Sequence, residues 1–173
     1  MRGYALPVLG LSALLASTAA PAAIGPELIG LRGASSAATI PQDIDMHELF
    51  LRFTLPWQKT SGSWRIASHL NLGAGRLDAD DRSADIFSIG PSVSFSRGRF
   101  TIDLGTAPTY LSDTELAGRK MGGHFQFTSH LALYVQLTRL LSTGVRIQHT
   151  SNASIYPDND GLDLQAFEVW VRF

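Results

Sequence analysis

The segment DLQAFEVWVRF, residues 163–173, alternates along its length between two kinds of side chain. One parity is apolar and consists of Phe167, Val169, Val171 and Phe173. The other parity carries the charged residues Glu168 and Arg172 together with Trp170. Because alternate residues of a β-strand point to opposite faces, this pattern predicts a strand with one apolar face and one partly charged face.

Seven further segments show the same alternation. They cover residues 27–37, 45–55, 63–75, 85–96, 99–110, 124–137 and 144–151. Water-soluble β-sandwiches alternate as well, so the residues on the polar faces decide between a sandwich and a membrane-spanning barrel. These faces mix charges with glycines and large aromatic residues, as in Glu48, Phe50, Arg52, Gly90, Asp103, Gly105 and Arg146. The mixture suits the crowded, polar interior of a narrow barrel whose apolar face meets lipid.

We therefore predict an all-β fold, an eight-stranded antiparallel transmembrane β-barrel. Strands of about ten residues match the span of a tilted membrane strand, and closure satisfies every backbone group, as lipid requires. With both chain ends in the periplasm, the predicted periplasmic turns are residues 56–63, 96–99 and 137–139. The predicted external loops are longer and more polar, at residues 76–84, 111–120 and 152–161. This asymmetry is typical of outer-membrane barrels.

The N-terminus has the three-part pattern of an export signal. Arg2 precedes an apolar stretch at residues 6–16, and small residues follow as far as Ala22. The pattern predicts a signal peptide over residues 1–22 and an outer-membrane barrel domain over residues 23–173. The apolar stretch is too short for a transmembrane anchor, and no later segment has the apolar run that a transmembrane helix needs.

Composition narrows the function classes. The formal net charge of −1 offers no strongly basic face, so we expect no nucleic-acid partner. The chain has no cysteine, which excludes disulfide and thiolate chemistry. Together with the export signal and the predicted barrel, the composition favours the bacterial outer membrane as the location.

The segment GVRIQHTSN, residues 144–152, places two reactive side chains on the face predicted to meet lipid. His149 and Ser151 share the parity of Val145, and Asp163 shares the parity of the apolar residues of the last strand. Because the last two strands form an antiparallel hairpin, these three side chains should converge near its external end, on the outer wall. Polar groups on a lipid-facing wall are costly unless they have a function.

A serine, a histidine and a carboxylate in this arrangement can act as nucleophile, general base and orienting group. The negative charge of a tetrahedral intermediate would need hydrogen-bond donors, which Asn152, Asn159 or backbone N–H groups of the loop between the two strands can supply. An ester in the outer leaflet could then reach Ser151 without leaving the membrane. The alternative is that His149 and Ser151 lie at headgroup level and simply face lipid headgroups.

The stretch HTSNASIYPDNDGLD, residues 149–163, resembles the lipid A 3-O-deacylase family of outer-membrane β-barrel esterases. The family's His-x-Ser-Asn motif is matched by His149, Ser151 and Asn152. Asn159 and Gly161 fall where the family has loop residues, and Asp163 takes the place of the catalytic acid, typically a glutamate. Ser154 stands where a glycine is common.

The resemblance implies that Ser151 is the nucleophile, His149 the general base and Asp163 its orienting acid. Asn159 and Asn152 would line the oxyanion hole. The implied reaction is hydrolysis of the ester-linked acyl chain at position 3 of lipid A, with lipopolysaccharide as the substrate and no metal or organic cofactor. Glu168 is a poor substitute acid, since its parity turns it into the barrel.

Other functions remain open on the sequence alone. A non-catalytic small barrel, structural or adhesive, would carry its function in the external loops. A phospholipase or an acyltransferase could use the same three residues. The sequence also leaves open whether the barrel forms a homodimer.

Four polar features lie outside the predicted triad. The histidines His69, His124 and His130 have interior parity, which favours an interior hydrogen-bond network over a metal site. The acidic segment DADDRS, residues 78–83, is expected to be a solvated loop, with binding of divalent cations as the alternative.

Overall fold

The computed structural model describes residues 24–37, 43–79 and 82–173. Within these ranges the chain forms a closed barrel of eight antiparallel strands and one short two-stranded hairpin. The signal peptide predicted for residues 1–22 lies outside the described residues. Among the residues described, we find no helix whose length and hydropathy would let it span a membrane.

The barrel is closed by pairing of its first and last strands. Its strands are β1 (Gly25–Ser36), β2 (Ile44–Ser61), β3 (Trp64–Ala79), β4 (Ser83–Arg97), β5 (Phe100–Leu111), β8 (Phe125–Gln136), β9 (Leu141–Ser151) and β10 (Leu162–Arg172). The short hairpin consists of β6 (Glu115–Leu116) and β7 (Arg119–Lys120). The order around the barrel is β1-β10-β9-β8-β5-β4-β3-β2. The sheet therefore has no free edge, and the predicted eight-stranded antiparallel barrel is confirmed.

The two parities of each strand lie on the predicted sides of the barrel. Large apolar side chains remain exposed on the outside, among them Leu31, Leu49, Phe87, Leu104, Leu133, Val145 and Phe167. Charged side chains are buried inside, among them Arg32, Glu48, Arg52, Asp103, Arg146 and Glu168. This is the reverse of a water-soluble protein and the expected arrangement for a barrel surrounded by lipid.

The predicted interior glycines make room for neighbouring groups. A Cβ atom added to Gly105 would lie 2.6 Å from Cε1 of His130, and one added to Gly90 would lie 2.3 Å from the backbone oxygen of Thr106. Both contacts are too short for a side chain to be accommodated without movement. The interior is therefore packed with side chains, as expected for an eight-stranded barrel.

The carboxylate of Glu168 is the centre of a buried charge network. It accepts hydrogen bonds from Arg32 Nε at 2.6 Å and from Tyr134 Oη at 2.8 Å, and it lies 3.8 Å from Arg146 Nε. Arg32 also forms an ion pair with Glu48. Because a buried charge is costly without a partner, these contacts hold the strands in one register from inside the barrel.

We expect the Glu168→Gln variant to unfold at a clearly lower urea concentration. The substitution keeps the shape of the side chain but leaves Arg32 and Arg146 short of their negative partner, which costs about 3–5 kcal/mol for a buried pair. The urea midpoint of protein refolded in lipid vesicles measures the effect. Glu115→Gln is the control, because this side chain is about half exposed in its pair with Arg82, and the change should cost less than about 1 kcal/mol. Equal midpoint shifts in the two variants would contradict the prediction.

The hairpin between β2 and β3 is longer than predicted. Residues 56–63 were expected to form a turn, but β2 continues to Ser61 and only Gly62 and Ser63 form the turn. The register shifts beside Pro56, which has no N–H to donate to the ladder. The sequence pattern does not reveal this extension, because both faces of the hairpin are exposed and the polar and apolar residues stop alternating.

The acidic segment 78–83 is also partly strand. β3 continues through Asp78 to Ala79, and Arg76 contacts the carboxylates of Asp78 at 3.2 Å and Asp85 at 3.1 Å. Residues 80–81 lie outside the described ranges. Asp78, the acidic residue of this segment that the structure describes, is therefore paired with an arginine of its own strand.

Two of the three histidines have the predicted interior position. His69 and His130 hydrogen-bond buried partners inside the barrel, at 2.8 and 2.9 Å. The prediction for His124 was wrong, since its ring is exposed and stacks on Tyr110 with the ring centroids 5.6 Å apart. His124 precedes β8, so strand parity does not determine its direction. Over the described ranges, no group of three His, Cys, Asp or Glu side chains could hold a metal ion.

Candidate active site

The candidate site lies at the end of the barrel that is predicted to be external, where β9 ends and β10 begins. Their pairing places Asp163 directly opposite His149. Ser151 is the last residue of β9 and pairs with Phe127 of β8 on the other side. Because the β9–β10 hairpin register sets these positions, His149, Ser151 and Asp163 all have the outward parity of the strands that carry them.

Asp163 and His149 form a direct hydrogen bond on the outer wall. The distance from Asp163 Oδ1 to His149 Nδ1 is 2.7 Å, and both side chains are more than half exposed, at 57% and 55%. The aspartate therefore reaches the imidazole although it is one methylene shorter than glutamate. With Nδ1–H donated to the carboxylate, Nε2 is the nitrogen left to accept a proton.

Gly161 leaves space for the imidazole ring of His149 because it has no side chain. Its backbone has a φ of +64°, and a Cβ atom at this position would lie 3.0 Å from His149 Cε1 and 3.6 Å from Nε2. A left-handed backbone beside an aromatic ring favours glycine for two reasons, its freedom of φ and its lack of a side chain. The loop therefore returns to β10 along the edge of the ring that carries Nε2.

Ser151 lies on the same face as His149, two residues further along β9. Residues in this relation have Cα atoms about 6.5–7 Å apart, within reach of a hydroxyl and an imidazole that lean toward each other. Within the described ranges the Ser151 hydroxyl makes no hydrogen bond, so the structure brings His149 and Asp163 together and leaves Ser151 beside them. Catalytic hydrogen bonds are often long before substrate binds.

Asn152 is the buried anchor of the loop that follows Ser151. Its Nδ2 group donates to the backbone oxygens of Met121 at 2.9 Å and Asp158 at 2.6 Å. Both amide hydrogens are thus in use, and the side chain has no exposed surface. Asn152 connects the loop 152–161 to the loop 112–124, a contact between residues far apart in sequence.

Asn159 lies beside the residue that follows the serine. Its Oδ1 accepts the backbone N–H of Asn152 at 3.0 Å, which holds the carboxamide next to Ser151. In the part of the chain that the structure describes, the Asn159 Nδ2 hydrogens have no protein acceptor. The two asparagines named from the sequence therefore have different surroundings: Asn152 is buried with both amide hydrogens bonded, and Asn159 is exposed with a free donor.

The loop 112–124, which carries the β6–β7 hairpin, contacts the loop 152–161 beside the site. The sequence patterns did not predict these contacts. Arg119 Nε donates to the backbone oxygen of Gly161 at 2.8 Å, and the Lys120 N–H donates to Asp160 Oδ2 at 2.7 Å. These contacts join positions about 40 residues apart, and no local pattern signals them. They fix the end of the loop 152–161 where it passes His149.

The chain turns sharply directly after Ser151. Ala153 and Ser154 have φ values of +53° and +65°, and the Ile155 N–H donates to the Asn152 oxygen at 3.1 Å. This is a type I′ turn, in which both central residues are left-handed and glycine or asparagine is usual. Here neither central residue is glycine or asparagine, so the turn holds backbone strain next to Ser151.

We expect Ser154→Gly to stabilise the folded barrel by about 0.5–1 kcal/mol. Glycine removes the left-handed penalty of a Cβ-bearing residue, partly offset by its greater freedom in the unfolded chain. The urea midpoint in vesicles measures the gain. Ser154→Ala keeps the Cβ atom and serves as the control, with no gain expected. A gain from alanine as large as that from glycine would show that the serine hydroxyl, and not the backbone, is the source of strain.

Two connected depressions mark the outer wall below and beside the His149–Asp163 pair. The upper depression, of about 410 Å³, is lined by residues that include Ser129, Leu131, Ile147, His149, Asp163 and Gln165. The lower depression, of about 980 Å³, has a mainly apolar lining that includes Ile102, Leu131, Leu133, Val145, Ile147 and Phe167. They share Leu131, Ile147 and Gln165, so an apolar path leads from the histidine down the wall.

Known proteins resemble this chain in sequence and in fold. The model of the family described as Lipid A 3-O-deacylase (PagL) matches residues 45–172. The lipid A deacylase PagL of Bordetella bronchiseptica is 41% identical over 75 residues, which make up 43% of this chain and 42% of that protein. The match thus spans less than half of that relative's length.

The crystal structure described as that of the outer membrane enzyme PagL has the same barrel. It superposes with a TM-score of 0.71 over 83% of this chain and 99% of the other, at 17% identity. At this identity the likeness concerns the fold. Since the family model covers well over half of the sequence, the chain belongs to the lipid A 3-O-deacylase family of outer-membrane β-barrels.

Proposed function

We propose that this chain is an outer-membrane esterase that removes the ester-linked acyl chain at position 3 of lipid A in lipopolysaccharide. Ser151 is the nucleophile, His149 the general base and Asp163 the group that orients it, all on the lipid-facing wall of the barrel. The observation that carries the proposal is the 2.7 Å contact between Asp163 and His149 on the exposed wall, one same-face step from Ser151.

Acylation transfers the acyl group from the lipid to the serine. Ser151 Oγ attacks the ester carbonyl carbon while His149 Nε2 takes the hydroxyl proton, and Asp163 stabilises the resulting imidazolium. The tetrahedral intermediate collapses by breaking the bond to the sugar oxygen, which leaves as an alcohol with the proton from Nε2. Deacylation repeats these steps with water as the nucleophile and releases a free fatty acid.

Three donors beside Ser151 suit a developing oxyanion. They are Asn159 Nδ2 and the backbone N–H groups of Ala153 and Ser154, and none of the three has a protein acceptor within the described ranges. We assign Asn152 a positioning role, because its own amide hydrogens hold the loop in place. The turn holds the Ala153 and Ser154 N–H groups in one conformation before substrate arrives, so they need no rearrangement to serve as donors.

The wall position suits a substrate that never leaves the outer leaflet. The sugar ester meets Ser151 at the external end of β9, and the acyl chain follows the upper depression into the lower one. Ile147, Val145 and Leu131 provide apolar contacts along this path. The barrel interior, filled by the Glu168 network, takes no part in the reaction.

Purified barrel in detergent micelles with purified lipid A tests this function directly. We expect mass spectrometry to show loss of one acyl chain, located at position 3 by fragmentation, and release of the matching fatty acid. Phospholipids offered in the same micelles should stay intact, which separates the proposed activity from a phospholipase. Unchanged lipid A with a barrel shown to be folded by its gel mobility would overturn the proposal.

A further inference from the structure

Two hydroxyl groups interrupt the apolar outer wall beside His149. Ser129 on β8 pairs with His149 on one side and with Thr106 of β5 on the other. All three have outward parity and form one row across three neighbouring strands. Thr106 and Ser129 are exposed, and the row ends at Asp163 on β10.

Neither hydroxyl lies at the polar rim of the wall. Along β8, Ser129 has Phe127 on its external side and Leu131 on its periplasmic side. Along β5, Thr106 has Pro108 and Leu104 as its outward neighbours. The two hydroxyls are thus enclosed by apolar residues above and below, where lipid chains would surround them.

The hydrogen bonds made by the protein do not use the full capacity of these groups. Ser129 Oγ donates to Thr106 Oγ1 at 3.3 Å, a long contact. Within the described ranges, the Thr106 proton and the lone pairs of Ser129 have no protein partner. Unsatisfied hydroxyls facing hydrocarbon are costly, so their presence favours a partner supplied by a bound molecule.

Ser129 is positioned to meet the first carbons of a bound acyl chain. It lines the same depression as His149 and Asp163, one row closer to the periplasm than Ser151. A chain whose carbonyl carbon lies at Ser151 Oγ and which runs toward Ile147 passes Ser129 within its first few carbons. The smallest hydrogen-bonding group that an acyl chain can carry there is a hydroxyl.

We propose that Ser129, supported by Thr106, is a specificity-determining subsite that hydrogen-bonds a hydroxyl group near the carboxyl end of the acyl chain that is cleaved. The ligand hydroxyl donates to Ser129 Oγ, and the Thr106 proton is available to its oxygen. The subsite rests on the proposed esterase function and makes hydroxyacyl esters better substrates than plain acyl esters of equal length.

Two synthetic glucosamine lipids that differ only in that hydroxyl test the proposal. One carries a 3-hydroxyacyl ester at the cleaved position, and the other carries the plain acyl ester. With purified wild-type barrel in micelles, we expect kcat/KM to favour the hydroxyacyl ester about tenfold, the value of one hydrogen bond. In Ser129→Ala this ratio should fall toward one, and in Thr106→Val it should fall partway.

The ratio distinguishes a subsite from a structural role, since a structural defect lowers both rates together. Ser68→Ala, on the outward face of β3 away from the site, is the control and should keep the wild-type ratio.

A third lipid carries the hydroxyl only on a neighbouring amide-linked chain. If this lipid shows the preference, the assignment to the cleaved chain is overturned. Hydrolysis of both esters with a ratio unaffected by Ser129→Ala overturns the subsite. Hydrolysis of neither ester by folded wild type overturns the esterase function itself.

Discussion

Replacing Ser151 with alanine is expected to lower the rate of lipid A deacylation by about 10⁴-fold or more, the scale found when the nucleophile of a serine triad is removed. The oxygen that forms the acyl intermediate is lost, and His149 cannot substitute for it. The measurement is the initial rate of fatty-acid release from lipid A micelles by purified protein. Folding should be unaffected, because Ser151 makes no hydrogen bond within the described ranges.

The Ser68→Ala variant is a matched control for this experiment. It removes a hydroxyl from the outward face of a different strand, where Ser68 Oγ donates a 3.0 Å hydrogen bond to the Trp57 backbone oxygen. We expect wild-type activity from it. A Ser151→Ala barrel that is folded and retains more than about a tenth of the wild-type rate would exclude Ser151 as nucleophile and leave the triad without its first member.

Replacing Asp163 with asparagine is expected to lower kcat by about 10²- to 10⁴-fold with little change in folding. The amide keeps the shape of the carboxylate but carries no charge to stabilise the imidazolium. It can also present its N–H₂ group to His149 Nδ1, which would move the ring proton to Nε2 and remove the base. Because the pair is more than half exposed on the wall, the effect should be smaller than for a fully buried acid.

Asp163→Glu separates the charge from the geometry. It keeps the negative charge and restores the residue type typical of the family, so we expect activity within about tenfold of wild type. Release rates from the same micelles compare the three proteins. If the asparagine variant were as active as the glutamate variant, the 2.7 Å contact with His149 would have no role in the reaction, and another group would have to orient the ring.

The candidate site was predictable from sequence to the extent that it depends on strand parity. Val145, Ile147 and Phe167 identify the outward face, and counting in steps of two places His149, Ser151 and Asp163 on it. The loop 152–161 joins the two strands in a hairpin and makes them neighbours, so the convergence of the three side chains follows. The same counting failed for His124, because the rule holds only inside a strand and this residue lies just before one.

Contacts between loops, and the extension of β2 to Ser61, were not predictable from strand parity. The surroundings of Asn152 and Asn159 differ because Met121 and Asp158 offer backbone oxygens to Asn152. The hydrogen bond from Arg119 Nε to the Gly161 backbone oxygen joins two loops about 40 residues apart. Each contact depends on where two separate loops meet in space, which no short pattern of residues records.

By itself the sequence determined the class of fold and that His149, Ser151 and Asp163 lie on the outer face of the barrel, because alternation with a period of two is a local property of each strand. Only the tertiary structure decided that Asp163 reaches His149, that Arg32 is neutralised by Glu168 from a strand 136 positions away, and that the turn after Ser151 is left-handed. Those features arise when the barrel closes and its loops pack on one another, and their distances depend on every strand between the contacting residues.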